Sequence, residues 1–312
     1  MNRKYILALI SVILFCYSMK SMAQINLRFV DATEASRLLS TEDAMTDQWS
    51  KFDYEARLGR KGGTKQELLD FISQQARDWS NADKEKMQKA AEVLNQIIRE
   101  QQLSLPLPQE IRILKTTMAE EGGAGGYTRK DYIVIEENVD KFSDATAQYL
   151  LAHELFHILT RNNPDFRSRM YKLIGFSIAD REFKRPDDLR DVLITNPDVN
   201  RFDSYATFTI NNERKSCAMI IYSAKPYEGD SFFKYLTIGL VPLKDGSPEK
   251  KQGKTIVYSV EQASDFFEKV GRNTDYIINP EEILAENFAG VLLGKQAQTP
   301  ELHDKIRKAL KK

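Results

Sequence analysis

Two histidines and a glutamate in the run LLAHELFHILT, residues 150–160, have the types and spacing that metal chemistry needs. His153 and His157 are four residues apart, so on a helix they share one face and can bind a single ion through neutral imidazole nitrogens. Glu154 points about 100° away from His153 around the helix axis, where it can act on a water molecule without binding the ion. This HExxH pattern predicts a metal site that activates water.

The alternative for these histidines is an ordinary place in a buried helix. The large apolar residues of the same run would bury the helix and dry its surroundings. Two imidazoles and a carboxylate would then each need a separate hydrogen-bonding partner in an apolar setting. A shared ion meets that need directly, and we therefore predict metal binding by His153 and His157.

A catalytic zinc ion usually has three protein ligands and keeps a fourth position for water, so a third ligand is required. The only other histidine, His303, lies near the C-terminus. The extended HExxHxxGxxH pattern fails because Thr160 and Asn163 occupy its Gly and His positions. A cysteine-rich cluster is excluded because the chain has only two cysteines. The expected third ligand is a carboxylate.

A second run, EILAENFAGVLL, resembles the ligand helix of the gluzincins, zinc peptidases whose third ligand is a glutamate. Their second motif is a glutamate with a small residue three positions on and often an acid four on, as in Glu282, Ala285 and Glu286. Phe288 and Ala289 extend the likeness to the ExxAxxFA helix of ImmA/IrrE-type metallopeptidases. The resemblance implies that Glu282 binds zinc and that Glu286 accepts a hydrogen bond that orients a histidine ring.

This chain also departs from the gluzincin pattern. Glu282 lies much farther from His157 along the chain than in the compact members, and their usual second acid is Asp rather than Glu286. Glu281, on another face of the same turn, stays a weaker ligand candidate. The resemblance also offers Tyr276 as a donor to a developing oxyanion, since gluzincins commonly use a Tyr or His there. Ordinary core packing is the alternative for that tyrosine.

Two segments are similar to an uncharacterised family of bacterial secreted metallopeptidase-like proteins. They are NTDYIINPEEILAENF, which contains the ligand run, and ITNPD, which lies between the two motifs. The likeness names no substrate.

The elements that must position the site are a helix and the strands before it. Ser143 suits a helix start, and Pro164 follows an expected end at Asn162. The runs EIRILKTT and DYIVIEE alternate apolar and polar residues as strands do. The glycine-rich segment between them lacks the GK[ST] of a phosphate-binding loop and is predicted to be a wide hairpin loop. By resemblance to zincins, residues 120–132 would line the substrate as an edge strand, where a peptide pairs with the main chain.

The predicted fold class is α+β and zincin-like, with a small β-sheet packed on the HExxH helix. Residues 24–105 are predicted to form a helical N-terminal subdomain, because their apolar residues recur at three- and four-residue steps. This subdomain would be either a packing cap or an inhibitory prosegment. Residues 106–312 would form the metallopeptidase domain. That domain would contain a β-rich insertion at about residues 177–260, followed by C-terminal helices. The expected strands of the insertion are YATFTI, CAMIIYSA, YLTIGLVPL and TIVYSV.

The first 23 residues have the three parts of a secretory signal. Arg3 and Lys4 make a basic start, an apolar run follows, and Ser21 and Ala23 place small residues at the positions that a signal peptidase reads. A membrane span needs about 20 continuous apolar residues, and this run is shorter. We therefore predict cleavage after Ala23, no membrane span in the mature chain, and a secreted or periplasmic location.

Removal of the signal would leave Cys217 as the only cysteine, so the exported chain must be held by its core, by a metal or by both. The precursor has a formal charge of zero, and its signal is basic, so the mature chain would be slightly acidic. Nucleic-acid binding needs a concentrated basic surface. No nucleic-acid partner is expected.

These features together predict an exported zinc-dependent metallopeptidase. His153, His157 and Glu282 would hold zinc, Glu154 would be the general base, and the partner would be a peptide or protein substrate. The alternative is a non-catalytic, zinc-stabilised extracellular binding protein. An intact Glu154 disfavours that alternative, because a structural zinc site needs no base.

Overall fold

The computed structural model describes residues 24–311 and combines helices with several β-sheets, in agreement with the predicted α+β class. The predicted signal peptide, residues 1–23, lies outside the described residues. The α-helices are α1 (Ala32–Leu39), α2 (Lys51–Leu58), α3 (Lys65–Ser73), α4 (Asn81–Glu100), α5 (Asp144–Asn162), α6 (Pro164–Leu173), α7 (Phe266–Val270), α8 (Pro280–Leu292) and α9 (Pro300–Leu310). The strands are β1 (Leu27–Phe29), β2 (Ala76–Arg77), β3 (Ile111–Thr116), β4 (Gly126–Arg129), β5 (Tyr132–Glu136), β6 (Phe176–Ile178), β7 (Ser204–Ile210), β8 (Glu213–Tyr222), β9 (Thr237–Lys244), β10 (Ser247–Pro248), β11 (Lys250–Lys251) and β12 (Lys254–Thr255).

The first sheet has the strand order β1-β3-β5-β4. β3 and β5 run parallel, with Ile113 opposite Ile133, whereas β4 is antiparallel to β5, with Thr128 opposite Ile133. The predicted wide hairpin between β3 and β5 is therefore wrong. The segment between them contains β4, which turns back and pairs with β5, and this reversal leaves β3 and β5 parallel. As a result β4 is an edge strand.

Residues 24–105 were predicted to be helical; they contain four α-helices, but they also contribute two strands to the first sheet. β1 pairs in parallel with β3, and β2 pairs antiparallel with the same strand. At three and two residues, these strands are too short for alternation to reveal them. Trp79 and Met87 from this segment lie in one apolar core with Leu151 and Phe288. The segment is not purely helical, and it shares a sheet and a core with the residues that follow it.

Helix α5 carries the HExxH run and has the predicted bounds. Ser143 caps its N-terminus by accepting a hydrogen bond from the backbone N–H of Thr146 at 3.0 Å, as an N-cap serine does. Leu151, Leu155 and Leu159 are fully buried. This apolar burial fixes the rotation of α5 about its axis, and with it the direction of the histidines.

Helix α8 packs against α5 and is buried over nearly its whole length. Asn279 caps it, Pro280 occupies its first position, and Glu281 and Glu282 fall in the first turn. The rings of Phe288 and Phe156 meet with centroids 5.4 Å apart. Contact between these aromatic rings sets the register of α8 along α5.

The second sheet has the order β10-β9-β8-β7-β6 and is antiparallel throughout. It lies within the predicted insertion, but the TIVYSV strand is wrong. Tyr258 makes only an isolated bridge to Leu240, and Lys254–Thr255 pairs with Lys250–Lys251 in a separate two-stranded ribbon. Gly253 (φ 79°) lies in the turn of this ribbon, which uses Thr255, the first residue of the run, to pair with Lys250 rather than with the sheet.

Among residues 24–311, no helix is both long enough and apolar enough to span a bilayer. Cys217 is buried and free.

Glu120 is fully buried in the segment between β3 and β4. Its Oε1 accepts hydrogen bonds from the hydroxyls of Thr116 and Tyr127, at 2.6 and 3.3 Å. Its Oε2 is buried with no hydrogen-bond partner among the described residues. Burial raises the pKa of Glu120 to about 7, although these hydrogen bonds oppose the rise.

Glu120→Gln is expected to stabilise the protein at pH 8 and to have little effect at pH 5. The folded state holds the Glu120 proton more tightly than the unfolded state, so wild-type stability falls as the pH rises from about 4.5 to about 7. The pKa shift corresponds to at most about 3 kcal/mol. Urea unfolding at both pH values measures the difference, with the exposed Glu301→Gln as control. An effect of equal size at pH 5 and pH 8 would contradict the assignment.

Candidate metal centre

The structure brings His153, His157 and Glu282 together from two helices. One potential ligand atom from each lies within 4.8 Å of those of the other two. Glu282 Oε2 is 3.1 Å from His153 Nε2 and 3.6 Å from His157 Nε2. Two of the three side chains are buried, since those of His157 and Glu282 are 0% and 1% exposed. Two imidazoles and a carboxylate in this arrangement are a suitable ligand set for zinc.

The strongest local sign that a cation fits is an unsatisfied nitrogen. His157 Nε2 is buried and makes no hydrogen bond to any described residue. Glu282 Oε2 and Asp198 Oδ1 lie 3.6 and 3.9 Å away, beyond good hydrogen-bonding distance. A buried ring nitrogen without a partner is costly in a folded protein. An ion among these groups would satisfy it.

Each histidine is held from behind by a carboxylate. His153 Nδ1 lies 3.1 Å from Glu286 Oε1, and His157 Nδ1 lies 3.2 Å from Glu281 Oε1. When Nδ1 donates to a carboxylate, the ring presents Nε2 to the site in its unprotonated form. The two α8 acids flanking Glu282 therefore orient both rings toward the cluster.

These orienting carboxylates are themselves fixed. The Tyr171 hydroxyl donates to Glu281 Oε2 at 2.6 Å, and the Thr160 hydroxyl donates to Glu281 Oε1. The Thr274 hydroxyl donates to Glu286 Oε2 at 3.1 Å. The structure thus places Glu281, the weaker ligand candidate, behind His157 rather than inside the three-residue cluster. Glu286 lies where the sequence resemblance implied, against a histidine ring.

The charges of the cluster also favour a cation. Burial opposes protonation of His153, but its hydrogen bonds with Glu282 and Glu286 outweigh burial and raise its pKa to about 10. Burial also opposes ionisation of Glu282, yet His157 and His153 hold its pKa well below the ordinary value. Positive charge is therefore stabilised between these groups. A metal ion competes with protons for the same nitrogens.

Glu154 lies beside the cluster rather than within it. A carboxylate oxygen of Glu154 is within 4.8 Å of a ring nitrogen of His157. Its Oε2 accepts a hydrogen bond from the Thr128 hydroxyl at 2.8 Å. Burial raises the pKa of Glu154, although both histidines oppose the rise. A buried carboxylate that holds a proton more readily than usual suits a general base.

Gly126 allows β4 to approach helix α5 at this point. A Cβ at this position would lie 3.0 Å from the carbonyl oxygen of Val134, 3.1 Å from a methyl group of Leu150 and 3.3 Å from Glu154 Oε1. All three distances are shorter than ordinary van der Waals contacts, so a side chain here would require its neighbours to shift by a few tenths of an ångström. Glycine at position 126 therefore lets the edge strand β4 lie next to Glu154, the candidate general base.

A cavity of about 610 Å³ opens onto the cluster. Its polar lining includes His153, Glu154 and Glu282. Its remaining lining is mainly apolar, with the side chains of Phe142, Ala145, Tyr149, Leu150 and Phe233. Tyr276 also lies on this wall, and 40% of its surface is exposed. The cavity has the size and the mixed lining of a small-ligand or side-chain site.

Two further residues reach the site from the loop that contains ITNPD. Asn196 Nδ2 donates to Glu282 Oε1 at 2.6 Å. Asp198 forms a second possible metal-binding group with Glu154 and His157. The sequence predicted neither side chain as a site residue, and only the likeness of ITNPD to metallopeptidase-like segments pointed to this loop. Their position depends on the path of a long loop, which no local periodicity determines.

Comparisons with known proteins do not add a relative. No protein-family model, curated protein or solved structure matches this chain. The gluzincin relationship stays a prediction.

Glu282→Gln is expected to abolish stoichiometric zinc binding, because a neutral amide replaces the carboxylate among the ligands. Glu281→Gln and Glu286→Gln are expected to retain the site but to weaken zinc affinity about 10- to 100-fold, as the loss of ligand-orienting groups does. Competition with a chromophoric chelator measures all three, with the exposed Glu301→Gln as matched control. Loss of zinc from Glu281→Gln with retention by Glu282→Gln would overturn the ligand assignment.

Proposed function

We propose that this protein is an exported, zinc-dependent metallopeptidase with a zincin-like fold. The observation that carries the proposal is the position of Glu154. Its carboxylate stands beside His157 but outside the group formed by His153, His157 and Glu282. Three ligands with an adjacent free carboxylate is the arrangement of a catalytic rather than a structural zinc site.

The proposed chemistry divides between the ion and the chain. Bound zinc would polarise the scissile carbonyl and make a water molecule more acidic. Glu154 then accepts the proton of the attacking water and passes it to the leaving amine. The Thr128 hydroxyl holds Oε2 of Glu154, and Oε1 faces Gly126. Tyr276, on the cavity wall, is the proposed donor to the oxyanion.

The proposed substrate is a peptide or protein that binds along β4. This strand is antiparallel to β5 at the edge of the sheet, and it contacts α5 at Glu154. An extended peptide can add to such an edge through main-chain hydrogen bonds. The cavity beside the cluster would receive a substrate side chain. An edge strand, the HExxH helix and a later ligand helix support the zincin-like assignment.

The second candidate function is a zinc-stabilised binding protein without catalysis. One observation favours it: Asp198 offers a possible fourth ligand near the cluster, and structural zinc sites are closed by four protein ligands. Glu154 favours the enzyme, because a structural site closed by His153, His157, Glu282 and Asp198 would leave the Glu154 carboxylate without a role. Export is part of the proposal on the strength of the signal sequence.

Glu154→Gln is expected to keep zinc and to lower peptide cleavage by at least about 100-fold, because glutamine retains the shape of glutamate but cannot accept the proton. Both proteins are incubated with a diverse peptide mixture, and new termini are identified by mass spectrometry. Chelation should stop wild-type cleavage, and zinc should restore it. Equal cleavage by both proteins would contradict the role of Glu154.

A further inference from the structure

One segment of the second half of the chain crosses the metal centre. Residues 193–199, here called the strap, connect a short helical turn to the strand β7 region. Ile194 N–H donates to the carbonyl of Ile221 at 2.9 Å, so the beginning of the strap lies on the second sheet. Its later residues leave that sheet and reach the cluster, where Asn196 binds Glu282.

The strap places a carboxylate beside the unsatisfied histidine. Asp198 Oδ1 is 3.9 Å from His157 Nε2. It belongs to a group with Glu154 and His157 whose potential ligand atoms lie within 4.8 Å of one another. The Asp198 side chain is 11% exposed. With Glu154 and Glu282, Asp198 brings a third carboxylate to the inner side of the site, and burial of so much negative charge is costly unless a cation offsets it.

The same strap covers the free edge of β4. Thr128 N–H, which would pair with a bound peptide, donates instead to Asp198 Oδ1 at 2.6 Å. The carbonyl of Thr128 accepts a hydrogen bond from Arg161 Nη1 at 3.1 Å. Arg161 also donates to the carbonyls of Pro197 and Asp198, at 3.1 and 2.9 Å. The strap and a peptide bound along β4 would therefore compete for the same main-chain groups.

A buried ion cluster on helix α2 holds the strap from its other side. Asp53 Oδ1 accepts from Thr195 N–H at 3.1 Å, and Arg57 Nη2 donates to the carbonyl of Thr195 at 2.9 Å. Arg57 is also paired with Asp53 and Glu121. The Ser50 hydroxyl donates to the carbonyl of Leu193 at 2.6 Å. These contacts come from residues 24–105, for which the sequence left open a packing or an inhibitory role.

We infer that the strap is an autoinhibitory element and that Asp198 is a displaceable fourth ligand of the metal. In the resting protein Asp198 occupies the position that water needs, and the strap closes the edge of β4. Release of the strap from α2 would free the ligand position and the edge of β4 at the same time. The inference rests on the proposed zinc site. It adds a regulatory role for residues 50–58, which hold the strap in its closed position over that site.

The test uses full-length protein loaded with Co²⁺ and acetohydroxamate as a probe of the open ligand position. Binding of the probe is followed by the visible absorption of Co²⁺. Asp198→Asn keeps the shape of the side chain and an acceptor for Thr128 N–H, but it is a poorer ligand. It is expected to raise probe affinity by at least about tenfold, which corresponds to an open form that is less than about a tenth populated in the wild type.

Two further variants keep the test decisive. Ser50→Ala lies away from the metal and loosens the hold on Leu193, so it is expected to raise probe affinity by a smaller factor. If Asp198→Asn does not fold, Ser50→Ala still tests whether loosening the strap raises probe affinity. Asp187→Asn, whose side chain is 78% exposed, is the matched control and should leave probe affinity unchanged. Unchanged affinity in both Asp198→Asn and Ser50→Ala would overturn the inference.

Peptide cleavage by the same proteins separates this inference from the proposed function. If both are right, Asp198→Asn cleaves at least about tenfold faster than wild type, in step with probe binding. Tighter probe binding without cleavage by any variant would support the strap and remove the peptidase proposal. Loss of cleavage in Asp198→Asn with metal retained would contradict the strap and make Asp198 part of catalysis.

Discussion

The packing of helix α8 against helix α5 is the constraint on which the rest of the structure depends. His153 and His157 lie on α5, and the carboxylate that completes their cluster, Glu282, lies on α8. The donor atoms come within 4.8 Å only while the two helices keep their rotation and register. Aromatic contact and nearly complete burial fix both quantities. Apolar packing thus supplies the rigidity that a preformed metal site requires.

The first two turns of α8 supply the cluster with three acids that have different roles. Glu282 enters the cluster, Glu281 holds the far nitrogen of His157, and Glu286 holds that of His153. Because residues 282 and 286 share a face and residue 281 does not, one helix can reach both rings from different sides. The two support carboxylates fix the ring orientations, so small changes behind the ligands should weaken metal binding without changing the ligand set.

The helical parts of the site were predictable, since periodicity determines which residues share a face. The bounds of α5 followed from Ser143 and Pro164, and spacing alone paired its two histidines. Alternation did not predict β4, because its glycine-rich sequence is typical of a loop and its pairing depends on β5; only the resemblance to zincins placed an edge strand within residues 120–132. Asp198 was not predicted either. Its position depends on contacts between the strap and α2, which are far apart in sequence and leave no local pattern.

The central claim is that two imidazoles and a carboxylate of this chain bind one zinc ion. X-ray absorption spectroscopy of the zinc-loaded protein tests it most directly, because it identifies the ligand atoms without requiring a substrate. The account predicts about one zinc per chain, with a shell of nitrogen and oxygen atoms at about 2.0–2.2 Å and a clear contribution from imidazole. A sulfur shell at about 2.3 Å, or zinc without imidazole ligands, would contradict it.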